Sequence, residues 1–187
     1  PPLLEKFRQA HPQIEINLDT GDAADGIDQI KGKRVDLAIA ARPDDLPSSI
    51  HFQTIASVPL AIVVPTMNCA VKKALQTDVI DWENLPIILP EHGVARRRFE
   101  HWFRQKHAGR PNVYAQVSGQ EALVSMVALG FGIGLSPIVV ADNSPVKDLV
   151  DLLPDTQITP FDLGLCCFKR NLEDPVVAAF LSMAPNN

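Results

Sequence analysis

The sequence has no long apolar run and no recognisable export signal. A membrane-spanning helix needs roughly 18 or more consecutive apolar residues, and no stretch here approaches that length. A secretory signal begins with a basic segment followed by an apolar one, and the first residues show neither. From these two absences we expect a cytoplasmic protein that does not enter a membrane.

Cysteine is scarce, with three residues in 187. An odd number cannot pair completely within the chain, and none of the three has the CxxC spacing of zinc or redox sites. Cys166 and Cys167 are adjacent in a predicted strand, so their side chains should point to opposite faces. We therefore expect buried, reduced thiols, as in most cytosolic proteins.

The short motifs of common enzyme sites are also missing. The sequence contains neither the GxSxG string of hydrolases nor a Walker A loop. The glycine-rich string at 130–134 follows a predicted helix, whereas dinucleotide-binding loops follow a strand. The five histidines lack metal-ligand spacing, and we expect His101 and His107 at the solvated surface. We therefore predict no catalytic residues, no metal site and no cofactor.

Charge is distributed unevenly along the chain. The net charge of −5 argues against direct nucleic-acid binding by this chain. The segment from Val94 to Arg110 is the exception, because it carries six Lys or Arg residues and one acidic residue. This basic segment needs an explanation of its own.

Strand-like and helical patterns alternate along most of the chain. Apolar residues from Leu3 to Ala10 recur at helical spacing, while residues 14–19 alternate strictly, as a half-buried strand does. The apolar run 35–40 predicts a strand buried on both faces. This alternation predicts an α/β fold with mainly parallel sheets. Further strands are predicted at 50–55, 60–64, 86–90, 113–117, 133–135 and 161–168, and further helices at 94–107, 121–129, 175–183 and after a capping Asp22.

The pattern restarts after Pro65, which indicates two lobes. We expect a first lobe formed by residues 1–65 and 149–187, with a second lobe of residues 66–148 inserted into it. A central cleft between two such lobes is a common place for small ligands.

The basic segment is predicted to form a helix that docks through one apolar stripe. Phe99, Trp102 and Phe103 have the spacing of such a stripe. Arginines 96–98 lie about 100° apart around the helix, so they cannot all face one site. A cation in the first turn opposes the helix dipole by about 0.3–1 kcal/mol. A bound carboxylate or phosphate would explain an arginine there, with Arg96 favoured over Arg97; a solvated surface is the equally weighted alternative.

The basic helix follows a predicted strand through the loop at residues 90–93. Three other loops join a predicted strand to a helix or turn, at residues 20–22, 41–43 and 118–120. Ligands of α/β proteins usually bind at the carboxyl ends of strands. Each loop offers small residues, a hydroxyl group or free backbone donors. Alone, each is ordinary turn chemistry; together, they favour a binding site.

Several blocks of the sequence, in order, resemble the effector-binding domain of LysR-type transcriptional regulators. The resemblance begins with Phe7, His11-Pro12 and the alternating segment after them, and continues through Gly21 and the run 35–40. It extends through residues 59–65 and 82–86 to the valine- and glycine-rich segment 126–137. It covers essentially the whole chain.

The resemblance implies a two-lobed fold like that of type 2 periplasmic binding proteins. It also implies a homodimer formed by antiparallel pairing of first lobes, and a small effector in the cleft. Family members have a strand before the first helix and a winged helix-turn-helix domain before that, and neither is in this sequence; DNA binding is thus expected only through that further domain. By loop position the family's effector contacts correspond to Thr20, Gly21, Ala41, Arg42, His92, Gly93 and Ser118, to which charge adds Arg96.

Within the family, the strings at 20–25, 96–98, 102–104 and 121–130 are most similar to activators of branched-chain amino-acid biosynthesis. The resemblance implies acetolactate or acetohydroxybutyrate as effector, and the carboxylate of each fits the anion site inferred from charge. A solute-binding protein of an uptake system, which shares this fold, is the alternative. An enzyme on an α/β scaffold has less support, since no nucleophile–base pair is apparent.

Overall fold

The computed structural model describes residues 2–107 and 109–185. The chain forms two compact units. Unit 1 comprises Pro1–Ser57 and Asp162–Asn187, and unit 2 comprises Val58–Phe161. These boundaries differ from the expected ones at 65 and 149, because the strands beside both boundaries pair inside unit 2.

The helices and strands follow one another in a mixed order. The strands are β1 (Ala38–Ala41), β2 (Ile50–Val58), β3 (Leu60–Pro65), β4 (Pro86–Pro90), β5 (Asn112–Val117), β6 (Gly134–Pro137), β7 (Val150–Leu153) and β8 (Phe161–Phe168). The α-helices are α1 (Pro2–Ala10), α2 (Gly26–Lys31), α3 (Ala70–Leu75), α4 (Val94–Lys106), α5 (Gln120–Ala128), α6 (Ile138–Asn143) and α7 (Pro175–Ser182), with short 3₁₀ helices at Lys147–Leu149 and Lys169–Glu173.

Unit 1 is a three-stranded sheet of order β1-β8-β2 with an apolar cluster on each face. Ile30 of α2 and Ile50 pack on one face with Cys166. Leu181 of α7 packs on the other face with Cys167. The two thiols therefore point to opposite faces, as the strand period predicts, and both cysteines are buried and free. Burial raises the pKa of the Cys166 thiol to about 11, so it stays protonated at neutral pH.

Unit 2 contains a sheet of order β6-β3-β7 and the strand pair β4-β5. A parallel bridge between Ile87 and Ile133 joins the two. Leu123 and Val127 of α5 are fully buried in the apolar cluster that contains Val63 of β3. The expected stripe on α4 is confirmed, because its members are all buried: Phe99, Trp102 and Phe103.

The α/β class is confirmed, but the strand directions correct the expectation of mainly parallel sheets. Of the four strand pairs whose register is described, only β4 with β5 is parallel. Strand β8 runs antiparallel to β1, and β3 runs antiparallel to β6 and β7. Strand β3 is the first strand after the chain enters unit 2, and β7 is the last strand before the chain returns to unit 1. Their opposite directions agree with these positions in the chain.

Two strand predictions in unit 1 need correction. Residues 14–19 form no strand, and Ile16 and Leu18 are 41% and 71% exposed. A strand needs a partner for its backbone groups, and none of the described residues pairs with this segment. The run 35–40 becomes a strand only from Ala38, and Ile39 is 53% exposed rather than buried.

No helix within the described part of the chain is long and apolar enough to cross a bilayer.

Candidate functional site

Two of the expected site loops lie side by side in unit 2. They follow β4 and β5, which pair in parallel with a register shift between Ile87 and Ile88, and Pro90 is opposite Val117. The Glu91 amide donates a hydrogen bond to the Val117 carbonyl at 3.0 Å and holds the loops together. His92 and Ser118 are exposed in these loops. The prediction that parallel strands would bring these loops to one edge is met for this pair.

Both loops end in a glycine whose backbone other residues adopt with difficulty. Gly93 caps α4 with φ 95° and ψ −175°, and Gly119 caps α5 with φ 85° and ψ 142°. Neither helix start has a side-chain cap, and α4 has no acidic residue in its first turn. The first backbone N–H groups of a helix lack partners inside the helix and attract anions. The uncapped start of α4 therefore suits a carboxylate, whereas α5 carries Glu121 in its first turn.

Arg96 is held by the protein itself. Its Nη1 donates to the carbonyls of Pro90 and Glu91 at 3.1 and 2.9 Å and to Oε1 of Gln116 at 2.7 Å. Its Nε donates to Oε1 of Glu100 at 2.9 Å. These bonds use Nε and Nη1, so Arg96 is not the solvated side chain that was the alternative to a ligand contact. In the structure, Arg96 ties the β4–α4 loop to β5.

The other two arginines of the basic segment differ in exposure. Arg97 is exposed and has a polar partner of its own. Arg98 is half-buried, and its Nε atom is buried without a hydrogen-bond partner in the described part of the chain. Arg98 thus differs from Arg96, because its buried Nε has no acceptor among the described residues.

In unit 1 the other two site loops are also neighbours. The Ala41 amide donates to the Ala23 carbonyl at 2.9 Å, which holds the end of β1 beside the loop that carries Thr20 and Gly21. Both of those residues are exposed. Asp22 does not cap α2; its carboxylate accepts from the Ala24 amide at 2.8 Å, and the helix begins after Asp25.

Arg42 extends from the end of β1 into solvent. Its amide donates to the Asp162 carbonyl at 2.8 Å, and its guanidinium lies 5.4 Å from the centre of the Phe52 ring. The aromatic face restrains the cation without neutralising it. Arg42 therefore offers an exposed positive charge beside the Thr20–Gly21 loop.

The chemistry available in these loops is that of binding. They supply backbone N–H groups, hydroxyl groups, an imidazole and the Arg42 cation. Across residues 2–107 and 109–185, no group of three or more His, Cys, Asp or Glu side chains is placed to hold a metal ion.

His107 is not at the solvated surface, contrary to the expectation from sequence. Its ring centre lies 4.8 Å from that of Phe103 and 5.7 Å from those of Trp82 and Trp102. Its Nε2 atom is buried without a hydrogen-bond partner in the described residues. Burial lowers the pKa of His107, the nearby Lys106 lowers it further, and Glu83 opposes both. The spacing of four residues from Phe103 was the available signal, since such residues share a helix face.

Comparison with known proteins identifies the class that this fold defines. The LysR substrate binding domain family matches residues 1–186 of the chain. The chain belongs to this family. The family assignment agrees with the expectation that the chain is not an enzyme.

Particular relatives make the assignment narrower. The chain is 44% identical over 184 residues to the HTH-type transcriptional activator IlvY of Haemophilus influenzae, covering 98% of this chain and 63% of the relative. It is 41% identical over 190 residues to the regulator IlvY of Escherichia coli, covering 100% of this chain and 64% of the relative. The chain thus spans a little under two thirds of these relatives. It is an effector-binding domain similar to that of IlvY, as expected from the sequence.

Solved structures show the same fold at low sequence identity. The effector binding domain of QuiR in complex with shikimate matches with a TM-score of 0.77 and 22% identity, covering 98% of this chain and 87% of that one. The cofactor-binding domain of the Cbl transcriptional regulator matches with a TM-score of 0.76 and 17% identity, covering 98% and 80%.

Proposed function

We propose that the chain is the effector-sensing part of a LysR-type transcription factor that responds to acetolactate or acetohydroxybutyrate and regulates branched-chain amino-acid biosynthesis. The observation that carries this proposal is the identity of 41–44% to IlvY proteins over essentially the whole chain. The named relatives are regulators, which favours this function over that of a solute-binding protein of an uptake system.

The chemistry of the loops supports a carboxylate effector. Acetolactate carries a carboxylate, a hydroxyl group and a ketone, so it needs several donors and one positive potential. The uncapped starts of α4 and α5 offer N–H groups, and Ser118 and Thr20 offer hydroxyl groups. Effectors in solved domains of this fold include shikimate and benzoate, which are both carboxylates.

We assign the cationic contact to Arg42. Charge alone favours Arg96, but its Nε and Nη1 atoms already donate to four protein acceptors. Arg42 has an exposed guanidinium that rests on Phe52. In this proposal Gly21, Ala41, His92 and Gly93 shape the loops, and Arg96 holds one of them in place.

The regulatory mechanism we propose is a population shift in a cytoplasmic homodimer. The effector binds one conformation of the regulator more tightly than another and so favours it. The effector can shift the equilibrium between the two conformations only by as much as its affinities for them differ. DNA is bound by a winged helix-turn-helix domain outside this chain.

The test is calorimetric titration of the chain with acetolactate, on the unmodified protein and on Arg42→Ala. Losing one charge-assisted contact should raise the Kd about tenfold. Arg170→Ala is the matched control, because Arg170 is exposed in unit 1 and its guanidinium also lies over a phenylalanine, 4.4 Å from the Phe168 ring centre. The control should leave the Kd within about twofold.

Two outcomes would count against the proposal. Absence of saturable binding by a folded chain would exclude acetolactate as the effector. Equal weakening by Arg42→Ala and Arg170→Ala would exclude a specific contact at Arg42, since only the net charge would then matter.

A further inference from the structure

The basic segment on α4 has one cation that the loops described above do not use. Arg98 is half-buried and its Nε atom has no hydrogen-bond partner in the described residues. A buried N–H group without an acceptor costs free energy, and a guanidinium in that state is unusual.

Arg98 lines an open cavity of about 750 Å³ within unit 2. One wall is a face of α4, because residues 98, 101 and 105 are three and four positions apart. The other wall is the segment between β7 and β8. None of the lining side chains is acidic, and all can donate hydrogen bonds: Arg98, His101, Gln105, Thr156, Gln157 and Thr159.

The second wall is anchored to the helix. Asp155 accepts hydrogen bonds from Trp102 Nε1, at 3.1 Å, and from Lys106 Nζ. The same carboxylate accepts from the Gln157 amide at 2.9 Å, and Ile158 is buried. The donors of this segment are therefore fixed opposite Arg98.

One acidic side chain on each of these two elements already has a basic partner. Glu100 accepts from Arg96 Nε, and Asp155 is paired with Lys106. Arg98 forms no ion pair with the described residues, and none of the described side chains that line the cavity is acidic, so the cavity carries the positive charge of Arg98. A phosphate group matches it, because one tetrahedral anion accepts hydrogen bonds from donors on both walls and a guanidinium pairs with phosphate through two N–H groups.

We propose that this cavity is a second anion site, which binds the phosphate group of a small molecule or free phosphate. It shares no residue with the four loops of the effector site, so it stands or falls independently of the proposed effector. It also gives a role to Arg98, which lies outside those loops.

The experiment is a calorimetric titration of the chain with inorganic phosphate at constant ionic strength. The unmodified chain should bind with a saturable heat, and Arg98→Gln should weaken binding about tenfold, as expected for loss of a charge-assisted pair. Thr159→Val removes one hydroxyl at nearly constant volume and should weaken binding several-fold.

Arg104→Gln is the matched control. Arg104 is an exposed arginine on the same helix whose Nε donates to the Glu100 carbonyl, and it does not line the cavity. It should leave phosphate affinity within about twofold, because an exposed charge is screened by solvent and salt. Equal weakening by Arg104→Gln and Arg98→Gln, or no saturable binding by the folded unmodified chain, would overturn the proposal. Unchanged circular dichroism and melting temperature establish that each variant is folded.

Discussion

At the scale of single residues, Gly93 determines how the β4–α4 loop presents its donors. Its φ of 95° with ψ near 180° lies in a region that is essentially restricted to glycine. This backbone turns the chain from β4 into the uncapped start of α4. A side chain at this position would have to distort the loop.

We predict that Gly93→Ala lowers the free energy of unfolding by about 1–3 kcal/mol, the usual cost of a residue held in such a conformation. Gly21→Ala is the control, because an added methyl group would meet nothing within 4 Å and Gly21 does not have a positive φ. It should change stability by less than about 0.5 kcal/mol. Urea unfolding measures both, and similar losses in the two variants would contradict the prediction.

The four hydrogen bonds of Arg96 lead to a second prediction. Arg96→Ala leaves two carbonyls and the Gln116 side chain without this donor, and it should destabilise the chain by about 1–3 kcal/mol. Arg104→Ala removes the same charge and an exposed hydrogen bond from the same helix, so its effect should stay below about 1 kcal/mol. Thermal unfolding of the two variants compares them, and equal melting temperatures would show that Arg96 has no such structural role.

The basic segment also shows where prediction from sequence ends. Periodicity was sufficient to predict α4 and its buried stripe, because both depend on residues three and four positions apart. It could not rank the three arginines, because the Arg96 partner Gln116 lies 20 residues away on another strand. The role of Arg98 likewise depends on residues 156–159. Such contacts are set by tertiary packing, which no local pattern encodes.

At the scale of elements, the end of α4 is fixed by an aromatic cluster. The cluster comprises Trp82, Phe99, Trp102, Phe103 and His107. Trp82 and Trp102 meet edge to face with ring centres 5.4 Å apart. A neutral imidazole fits this environment better than a charged one, because burial penalises the imidazolium.

We predict that this cluster makes stability depend on pH. The pKa of His107 is lower in the folded chain than its ordinary value of 6.5. Between these two pKa values the unfolded chain therefore binds more protons than the folded chain. The stabilisation is present above about pH 6.5 and is lost as the pH falls towards the lowered pKa. Urea unfolding at pH 7.5 and 5.5 should show a smaller loss of stability in His107→Gln than in the unmodified chain; an equal loss would exclude His107 as the cause.

Asp155 makes the stability depend on pH in a second, more acidic range. The hydrogen bond from Lys106 holds the pKa of this carboxyl below its usual value of 3.8. Its contribution is complete above that value and is lost as the pH falls through the lowered pKa. The Asp155 range lies below 3.8, so measurements at pH 5.5 and 7.5 do not include it.

Elements varied in how well the sequence predicted them. The long periodic helices and β8 lie close to their expected positions, because burial enforces their patterns. Segment 14–19 has a clear alternating pattern and no strand, because alternation records which residues prefer burial and does not supply a pairing strand. The alternation of apolar and polar residues also does not predict whether two strands pair in parallel or antiparallel, because both kinds of strand can have the same alternation.

At the scale of the whole molecule, the two units differ in how the chain builds them. Unit 2 is one continuous segment, Val58–Phe161, whereas unit 1 is assembled from both ends of the chain. The central strand of the unit 1 sheet is β8, which lies far from β1 and β2 in sequence. Unit 1 therefore depends on residues that follow unit 2.

We predict that a fragment of residues 58–161 folds and unfolds cooperatively, while residues 1–57 alone do not. Joining 1–57 to 161–187 through a flexible linker restores β8 and should restore a folded unit 1. Circular dichroism followed through urea unfolding distinguishes these cases. Cooperative unfolding of residues 1–57 alone would contradict the argument, as would failure of the joined fragment to fold.

The interrupted unit 1 also bears on how the chain is made. During translation, unit 2 can leave the ribosome complete while unit 1 still lacks β8 and α7. At about 5–20 residues per second, the remaining residues take a few seconds to emerge. Through that interval the apolar side chains of α2 and β2 have no sheet to pack on. We expect this nascent state, rather than the finished protein, to be the form that molecular chaperones bind.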